Sequence, residues 1–339
     1  MAVRGIAAVV AGAGRMGRWH AHAVGRTGGT LAAVADPDLD RARKLAGRHR
    51  GAEARASLEE ALAAGPADVV HLCTPPATHA ELAAAALERG LHVLVEKPLA
   101  PDAAATRSLL ERAEEAGRIL CPVHQFLFQR GARRLFDRLE ALGPVRHLDF
   151  TACSAGAEAG ADPGAVAREI LPHPLAFLER LAPEGLEGLA WEAVEAAPGE
   201  VRATAGAPGF TASVLISMGG RPRQNRMRVV GEGGTARLDL YHGYGVVRPS
   251  GRPSRFRKAA APFSWAGREA AAAAWNLLVR TARVQPAYPG LRELIRAFHR
   301  AAAADGASPI PAGETLRVAE ARDQLLERLG DAGDGASPG

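Results

Sequence analysis

Of the 42 basic residues in this chain, only Lys44, Lys97 and Lys258 are lysines; the other 39 are arginines. Where arginine serves almost everywhere that positive charge is needed, a lysine is worth reading for what arginine cannot do. A guanidinium keeps its proton near neutral pH, whereas an ammonium releases one when its surroundings lower its pKa. Lys97 stands in Val95-Glu96-Lys97-Pro98, directly after the apolar run 91–95. A lysine at a strand end points to proton transfer. The competing reading is chance, since Lys44 and Lys258 survive with no evident task.

The second set of residues with a chemical use is Gly12-Ala13-Gly14-Arg15-Met16-Gly17, which follows the short apolar run 4–11. After a buried strand, Gly12 permits a tight turn, Gly14 lets the backbone approach a pyrophosphate, and Gly17 lets the following helix pack closely on the strand. Arg15 and Met16 open that helix, whose N-terminus offers unpaired N–H groups and partial positive charge to phosphates. A second apolar run, 31–35, ends in Asp36, 19 residues past Gly17. A carboxylate there accepts hydrogen bonds from ribose hydroxyls and repels a 2′-phosphate, which favours NAD and leaves NADP open because Arg41 and Arg43 are close by. Asp36 also reads as a helix-capping residue before Pro37, and the two roles are compatible.

These residues need a scaffold that brings strand ends together. The first third alternates strand and helix. Strands are expected at 4–11, 31–35, 52–54, 68–73, 91–95 and 119–123. Helices are expected after Gly17, at 40–49, after Ser57 as its N-cap, at 78–89 and at 102–116, with Gly90 and Gly117 as stops. Such alternation gives a doubly wound parallel sheet. Later runs at 145–154, 189–197, 200–204, 210–218, 226–231 and 236–240 read as strands, with a turn at 231–234.

Composition bounds the rest. The chain has 339 residues, 47% hydrophobic and 23% charged, which suits two soluble globular domains. The net charge of +5 is small and dispersed, so nucleic-acid binding is not demanded. The arginine-rich stretches 221–228 and 248–258 could attract an anionic substrate, although solvated surface is the plainer reading. Cys73, Cys121 and Cys153 are far apart and read as reduced core residues of a cytoplasmic protein. No spacing suggests a metal site, no signal peptide is visible, and no run is long enough for a membrane span.

The pattern Gly12-x-Gly14-x-x-Gly17, Ala35-Asp36, Cys73-Thr74-Pro75-Pro76-x-x-His79 and Glu96-Lys97-Pro98-Leu99 resembles the glucose–fructose oxidoreductase, inositol dehydrogenase and rhizopine-catabolism (Gfo/Idh/MocA) oxidoreductases. The likeness is specific through residue 100 and looser beyond it. It implies an α/β fold: an N-terminal Rossmann domain over 1–123 and a C-terminal α+β domain over 124–330 with an open, mostly antiparallel sheet. A helix near 312–329 would pack back on the first domain, and 331–339 would form a disordered tail. It implies that Lys97 is the acid/base beside the nicotinamide, that Glu96 positions the strand end, that the Lys97–Pro98 bond is cis, and that Thr74, Pro75 and His79 belong to the cofactor site. The family's Asp-x-x-x-His helix signature falls on Glu169 and His173. Here Glu replaces Asp, and Pro172 and Pro174 flank the histidine; a core histidine at a broken helix is the alternative reading. His124, Gln125 and Phe126 fall where relatives place substrate-facing residues. The resemblance also implies a homodimer or homotetramer formed through the C-terminal sheet.

The function expected is hydride transfer between NAD and a secondary alcohol or ketone of a sugar, a polyol or a sugar derivative, a phosphate- or nucleotide-linked one included. Reduction of an imine or conjugated double bond is an alternative resting on the apolar stretch 126–128. A dinucleotide-sensing regulator without catalysis is another, disfavoured by the presence of both Lys97 and His173. The stretch 264–289 reads as a packed helix serving as a lid or subunit contact.

Overall fold

The computed structural model describes residues 5–154, 162–251, 255–285 and 287–334. Its contacts divide the chain into two compact units, residues 1–125 with 291–320, and residues 126–290 with 321–339.

The first unit is built on strands β1 (Ala7–Ala11), β2 (Thr30–Ala35), β3 (Glu53–Arg55), β4 (Val69–Leu72), β5 (His92–Val95) and β6 (Leu120–Pro122), alternating with helices α1 (Arg15–Arg26), α2 (Leu39–Ala46), α3 (Leu58–Ala64), α4 (His79–Glu88) and α5 (Ala103–Glu115). The sheet order is β3-β2-β1-β4-β5-β6 and every pairing is parallel. Strand order reverses between β1 and β4, which opens a crevice at the carboxyl ends of these strands. The apolar runs are buried on both faces, as parallel strands require: Val9, Val70, Leu72, Val93 and Val95 on one face and Val10, Val69 and Leu94 on the other are all at most 1% exposed. Local signals set the helix starts. Asp38, Ser57 and Asp102 each accept a backbone N–H of the first turn of α2, α3 and α5.

The second unit carries α6 (Arg130–Phe136), α7 (Leu139–Leu142), β7 (Val145–Cys153), α8 (Pro163–Ile170), α9 (Pro172–Leu181), β8 (Ala190–Ala197), β9 (Glu200–Ala207), β10 (Phe210–Ser217), β11 (Gln224–Gly231), β12 (Gly234–Asp239), β13 (Tyr244–Pro249) and α10 (Arg255–Ala282). Its sheet runs β13-β12-β11-β7-β10-β9-β8, antiparallel except where β10 lies parallel to β7. Alternation is clear along β10: Phe210, Ala212, Val214 and Ile216 are buried while Thr211 and Leu215 are exposed. Strand β13 was not visible in the sequence, where its glycine and its run into an arginine-rich stretch looked like charged surface. The chain then returns to the first unit with α11 (Leu291–Ala303) and the start of α12 (Ala312–Asp334). Helix α12 continues to Asp334, so the tail expected from 331 does not begin there; residues 335–339 lie outside the described ones.

Candidate functional site

Two of the three tasks expected of the glycine turn concern the chain's own geometry, and the structure has both. Gly12 has φ +95, and a Cβ there would lie 2.5 Å from the Cys73 carbonyl oxygen. A Cβ on Gly17 would lie 1.7 Å from the Gly12 carbonyl oxygen, so only glycine lets α1 start this close to β1. Gly14 has nothing within 4 Å of its would-be Cβ. That open space above the first turn of α1 is where a pyrophosphate would pass. The first turn has no side-chain cap and no acidic residue, a setting that suits an anion.

Beside this turn lies a cavity of about 320 Å³ lined by Ala13, Gly14, Arg15, Arg18, Arg41, Lys44, Leu45 and Arg48. Asp36, at the end of β2, is buried, and its carboxylate accepts the Ala13 N–H at 2.7 Å and the Asp38 N–H at 2.9 Å. A carboxylate has about four acceptor positions, so two remain for ribose hydroxyls. Arg41 is held by Asp38 at 2.7 Å, which raises its pKa and lowers that of Asp38. Arg43 turns to Asp40 instead and does not line the cavity. Arg18, Lys44 and Arg48 were not singled out by the sequence reading; they share this cavity because α1 and α2 flank the same strand ends.

The carboxyl ends of β4, β5 and β6 carry the remaining candidates of this unit. The Lys97–Pro98 peptide is cis, as the resemblance implies, and Lys97 is partly exposed. Glu96 is buried. Its Oε2 accepts the Lys97 backbone N–H at 3.3 Å, and its Oε1 lies 3.2 Å from His20 Nε2. Burial pushes the Glu96 carboxyl up, but the His20 hydrogen bond and the charges of His20 and Lys97 outweigh it and hold the group below its ordinary value. Cys73, beside Thr74, has its thiol pushed well up by burial and then by the Glu96 charge. It is inert as a nucleophile on that account.

His79 is fully buried. Its Nδ1 lies 2.8 Å from the Pro98 carbonyl and its Nε2 2.9 Å from the Thr74 carbonyl. It therefore lies between the turn after β4 and the turn after β5, with a carbonyl oxygen of one or the other within hydrogen-bond distance of each ring nitrogen. Its part in a cofactor site is to shape the turns that carry Thr74, Pro75 and Lys97. Thr74 is partly exposed and Pro75 exposed. His124 and Gln125 follow β6, the neighbour of β5, and are 4% and 7% exposed.

In the second unit, Phe126 stacks on His173 with ring centroids 4.2 Å apart and planes 23° from parallel. The sequence reading put Glu169 and His173 four apart on one continuous helix. The structure divides that segment: Glu169 is in the last turn of α8 and His173 is the second residue of α9. Pro172 and Pro174 supply no N–H to continue the α8 ladder, but the first turn of a new helix does not need those donors. Leu171 at the junction keeps helical angles (φ -49, ψ -40), so the change of direction is slight. His173 is 7% exposed among a helix that is buried nearly all round. The arginines of β11 and β12 also converge. Arg226, Arg228 and Arg237 line a cavity of about 450 Å³ together with Asp149, Asp239, Tyr244 and Glu269, so acidic partners offset the basic ones. Helix α10 is longer than the expected 264–289 segment suggested. It sets Trp265 under the guanidinium groups of Arg237 and Arg248, yet leaves Phe263, Trp275, Leu277 and Leu278 largely exposed, unlike the packed helix expected.

Residues 6–124 match the sequence model of an oxidoreductase family with an NAD-binding Rossmann fold, GFO_IDH_MocA. The match lies within the first unit of the chain. Inositol 2-dehydrogenase 4 of Saccharopolyspora erythraea is 41% identical over 128 residues, 37% of this chain and 36% of that protein. The scyllo-inositol 2-dehydrogenase (NADP(+)) IolU of Bacillus subtilis is 31% identical over 123 residues, 36% of this chain and 38% of that one. These matches thus span well under half of the relatives' length. Over nearly the whole chain the fold is shared with the UDP-N-acetylglucosamine 3-dehydrogenase GnnA from Acidithiobacillus ferrooxidans (TM-score 0.77, 22% identity, 97% of this chain and 99% of that one). It is shared equally with the WlbA dehydrogenase from Bordetella pertussis, solved with NADH and UDP-GlcNAcA (TM-score 0.78, 18% identity, 99% and 98%).

The reading from sequence overlooked three buried histidines, His20, His71 and His299. Nothing local marks them. They meet only when α1, β4 and α11 pack together, and α11 lies more than 200 residues along the chain. Among the described residues, no group of three or more His, Cys, Asp or Glu is arranged to hold a metal ion, and no helix is long and apolar enough to cross a membrane.

Proposed function

We propose that this protein is an NAD-dependent oxidoreductase that transfers hydride between the cofactor and a secondary alcohol or ketone of a sugar, a polyol or a sugar derivative. The observation that carries this reading is Lys97. It is a deprotonatable cation at the carboxyl end of β5, in a sheet whose glycine turn and Asp36 suit a dinucleotide. Dinucleotide, when bound, supplies the hydride acceptor or donor at its nicotinamide. The α1 N-terminus and Gly14 would hold the pyrophosphate, Asp36 the adenosine ribose, and Thr74 and Pro75 would line the nicotinamide side.

Lys97 would take the hydroxyl proton as an alcohol is oxidised and return it in the reverse direction. Glu96 fixes the main chain at Lys97. His173, Glu169 and the neighbouring Phe126, and separately His124 and Gln125, are proposed as substrate-binding residues, with His173 assisting at the hydroxyl. The inositol dehydrogenase relatives support a polyol substrate. The fold shared with dehydrogenases of nucleotide-linked sugars supports the derivative.

Two features pull the cofactor choice in opposite directions. The cations Arg15, Arg18, Arg41, Lys44 and Arg48 would welcome a 2′-phosphate, whereas Asp36 would repel it. Arg41 is exposed and already paired with Asp38, so solvent screens it. Asp36 is buried and acts at short range, which favours NAD. Self-association through the seven-stranded sheet and a cytoplasmic location complete the proposal; sedimentation velocity tests the first.

The reading is tested by following NADH absorbance with a panel of inositols, free sugars and nucleotide-linked sugars and their ketones. Turnover of at least one, abolished in Lys97→Ala with NADH binding retained, is expected. Absence of turnover across the panel, with reduction of imines or enones instead, would overturn it.

A further inference from the structure

Four short contacts join one residue to the next across the interior of the first unit. The Thr27 hydroxyl lies 3.2 Å from His299 Nδ1. His299 Nε2 lies 3.0 Å from His71 Nε2, His71 Nδ1 lies 3.1 Å from His20 Nδ1, and His20 Nε2 lies 3.2 Å from Glu96 Oε1. The three histidines are 0–4% exposed, and Thr27, at the end of α1, is partly exposed. Every ring nitrogen in the row faces another member of the row, so each contact holds a single proton and the protons cannot be placed independently.

With no added proton the row has one complete arrangement; one added proton can sit on Glu96, His20, His71 or His299, and His20, the ring in contact with the Glu96 carboxylate, is the one placed to hold it as a cation, so two arrangements matter. In the first, Glu96 is ionised and all three rings are neutral. His20 donates from Nε2 to Glu96, His71 from Nδ1 to His20, His299 from Nε2 to His71, and the Thr27 hydroxyl donates to His299. In the second, His20 is an imidazolium that donates both to Glu96 and to His71. His71 then donates from Nε2 to His299, and His299 from Nδ1 to Thr27, whose own proton turns to the Val24 carbonyl 3.0 Å away. That carbonyl already accepts the Thr27 and Gly29 backbone N–H groups, so it is satisfied in either case. The arrangements differ by one proton on His20 and by the tautomers of both other rings.

We propose that the row from Thr27 to Glu96 is a one-proton switch, with His20, His71 and His299 as positioning residues that set the charge Glu96 presents beside Lys97. With His20 neutral, Glu96 contributes a full negative charge next to Lys97 and favours its protonated form. With His20 protonated, the same carboxylate is half of an ion pair, and Lys97 gives up its proton more readily. His71 and His299 remain neutral in both arrangements. This agrees with burial and mutual repulsion holding His71 well below its ordinary value and with burial, then His20, lowering His299 to about 4. The other groups acting on the row from the elements packed around it are Lys97 and the Cys73 thiol, which senses Glu96; Phe298 meets His71 edge-on. The consequence for catalysis rests on Lys97 being the acid/base, but the switch itself does not.

The test uses the full chain labelled with ¹⁵N-histidine, without substrate or cofactor, and reads imidazole nitrogens by NMR against pH. A single midpoint is expected at which His20 gains a proton and the tautomers of His71 and His299 exchange together. Thr27→Val leaves the second arrangement with an N–H that has no acceptor and the first with only an unused lone pair. The midpoint should fall by about half a unit or more, since an unmet donor is the costlier defect. Thr27→Ser should restore it. The same midpoint and the same displacement should appear in kcat/KM against pH. Tautomers that stay fixed, or rings that change at separate midpoints, overturn the switch. An NMR midpoint displaced by Thr27→Val with an unmoved kcat/KM profile overturns its link to Lys97. Lys97→Ala separates the two levels: full turnover in that variant sinks the catalytic reading and leaves the NMR transition in place.

Discussion

In the first unit, the groups suited to a cofactor are main-chain atoms and strand ends: the α1 N–H groups, the empty space over Gly14, and Asp36 and Lys97 at the ends of β2 and β5. In the second, the candidates are side chains on a helix interrupted by two prolines, with Phe126 stacked against His173. Backbone sites depend on the absence of side chains and tolerate almost no substitution where chain segments touch. Side-chain sites depend on rotamers and neighbours, and lose function by degrees. The first kind is written in local sequence; the second is only completed by packing.

The glycines offer the sharpest way to break this contrast. Gly17→Ala puts a Cβ 1.7 Å from a carbonyl oxygen and should cost about 3 kcal/mol or more in urea unfolding. Gly14→Ala meets nothing and should stay within about 1 kcal/mol of the parent, while NADH affinity drops at least ~10-fold. Equal stability losses in the two variants would show that the turn is not divided into a packing glycine and a binding glycine.

Acid should act on the first unit with comparable force. Burial keeps His299 neutral, with its pKa lowered from 6.5 to about 4, so the unfolded chain takes up this proton first. Stability is therefore intact above about pH 6.5 and falls as the pH drops toward 4, by about 3 kcal/mol from this group. Urea midpoints between pH 7 and 5 measure it, and an equally steep loss in His299→Gln would reject His299 as the source.

Smaller effects belong to individual side chains. His173→Ala should leave NADH binding unchanged and lower kcat by roughly 10-fold, as expected of a group that assists rather than carries proton transfer; unchanged kcat would confine His173 to packing against Phe126. Asp36→Asn keeps an acceptor for the Ala13 N–H but loses the charge. It should narrow the preference for NADH over NADPH by about 10-fold in fluorescence titrations, and an unaltered ratio would assign that preference elsewhere.

The contrast also explains what could be read in advance. The six parallel strands, the glycine turn and the cap at Ser57 follow from local rules, and the structure has them. The helix expected to carry Glu169 and His173 together was broken by Pro172, a residue visible in the sequence but outweighed there by the four-residue spacing. Strand β13 forms a hairpin with its neighbour β12, but Gly245 and the run into Arg248 interrupt its apolar pattern. The histidine row depends on distant partners: nothing near His20 marks it, and it reaches His299 on α11 only through His71.

Lysine 97 remains the centre of the account, and the chain's own preference for arginine supplies the most direct test. Lys97→Arg keeps the positive charge but cannot release a proton near neutral pH. NADH affinity should stay within about twofold of the parent while kcat on the substrate found by screening drops by at least ~10². An arginine variant that turns over within a few-fold of the parent would contradict proton transfer by Lys97.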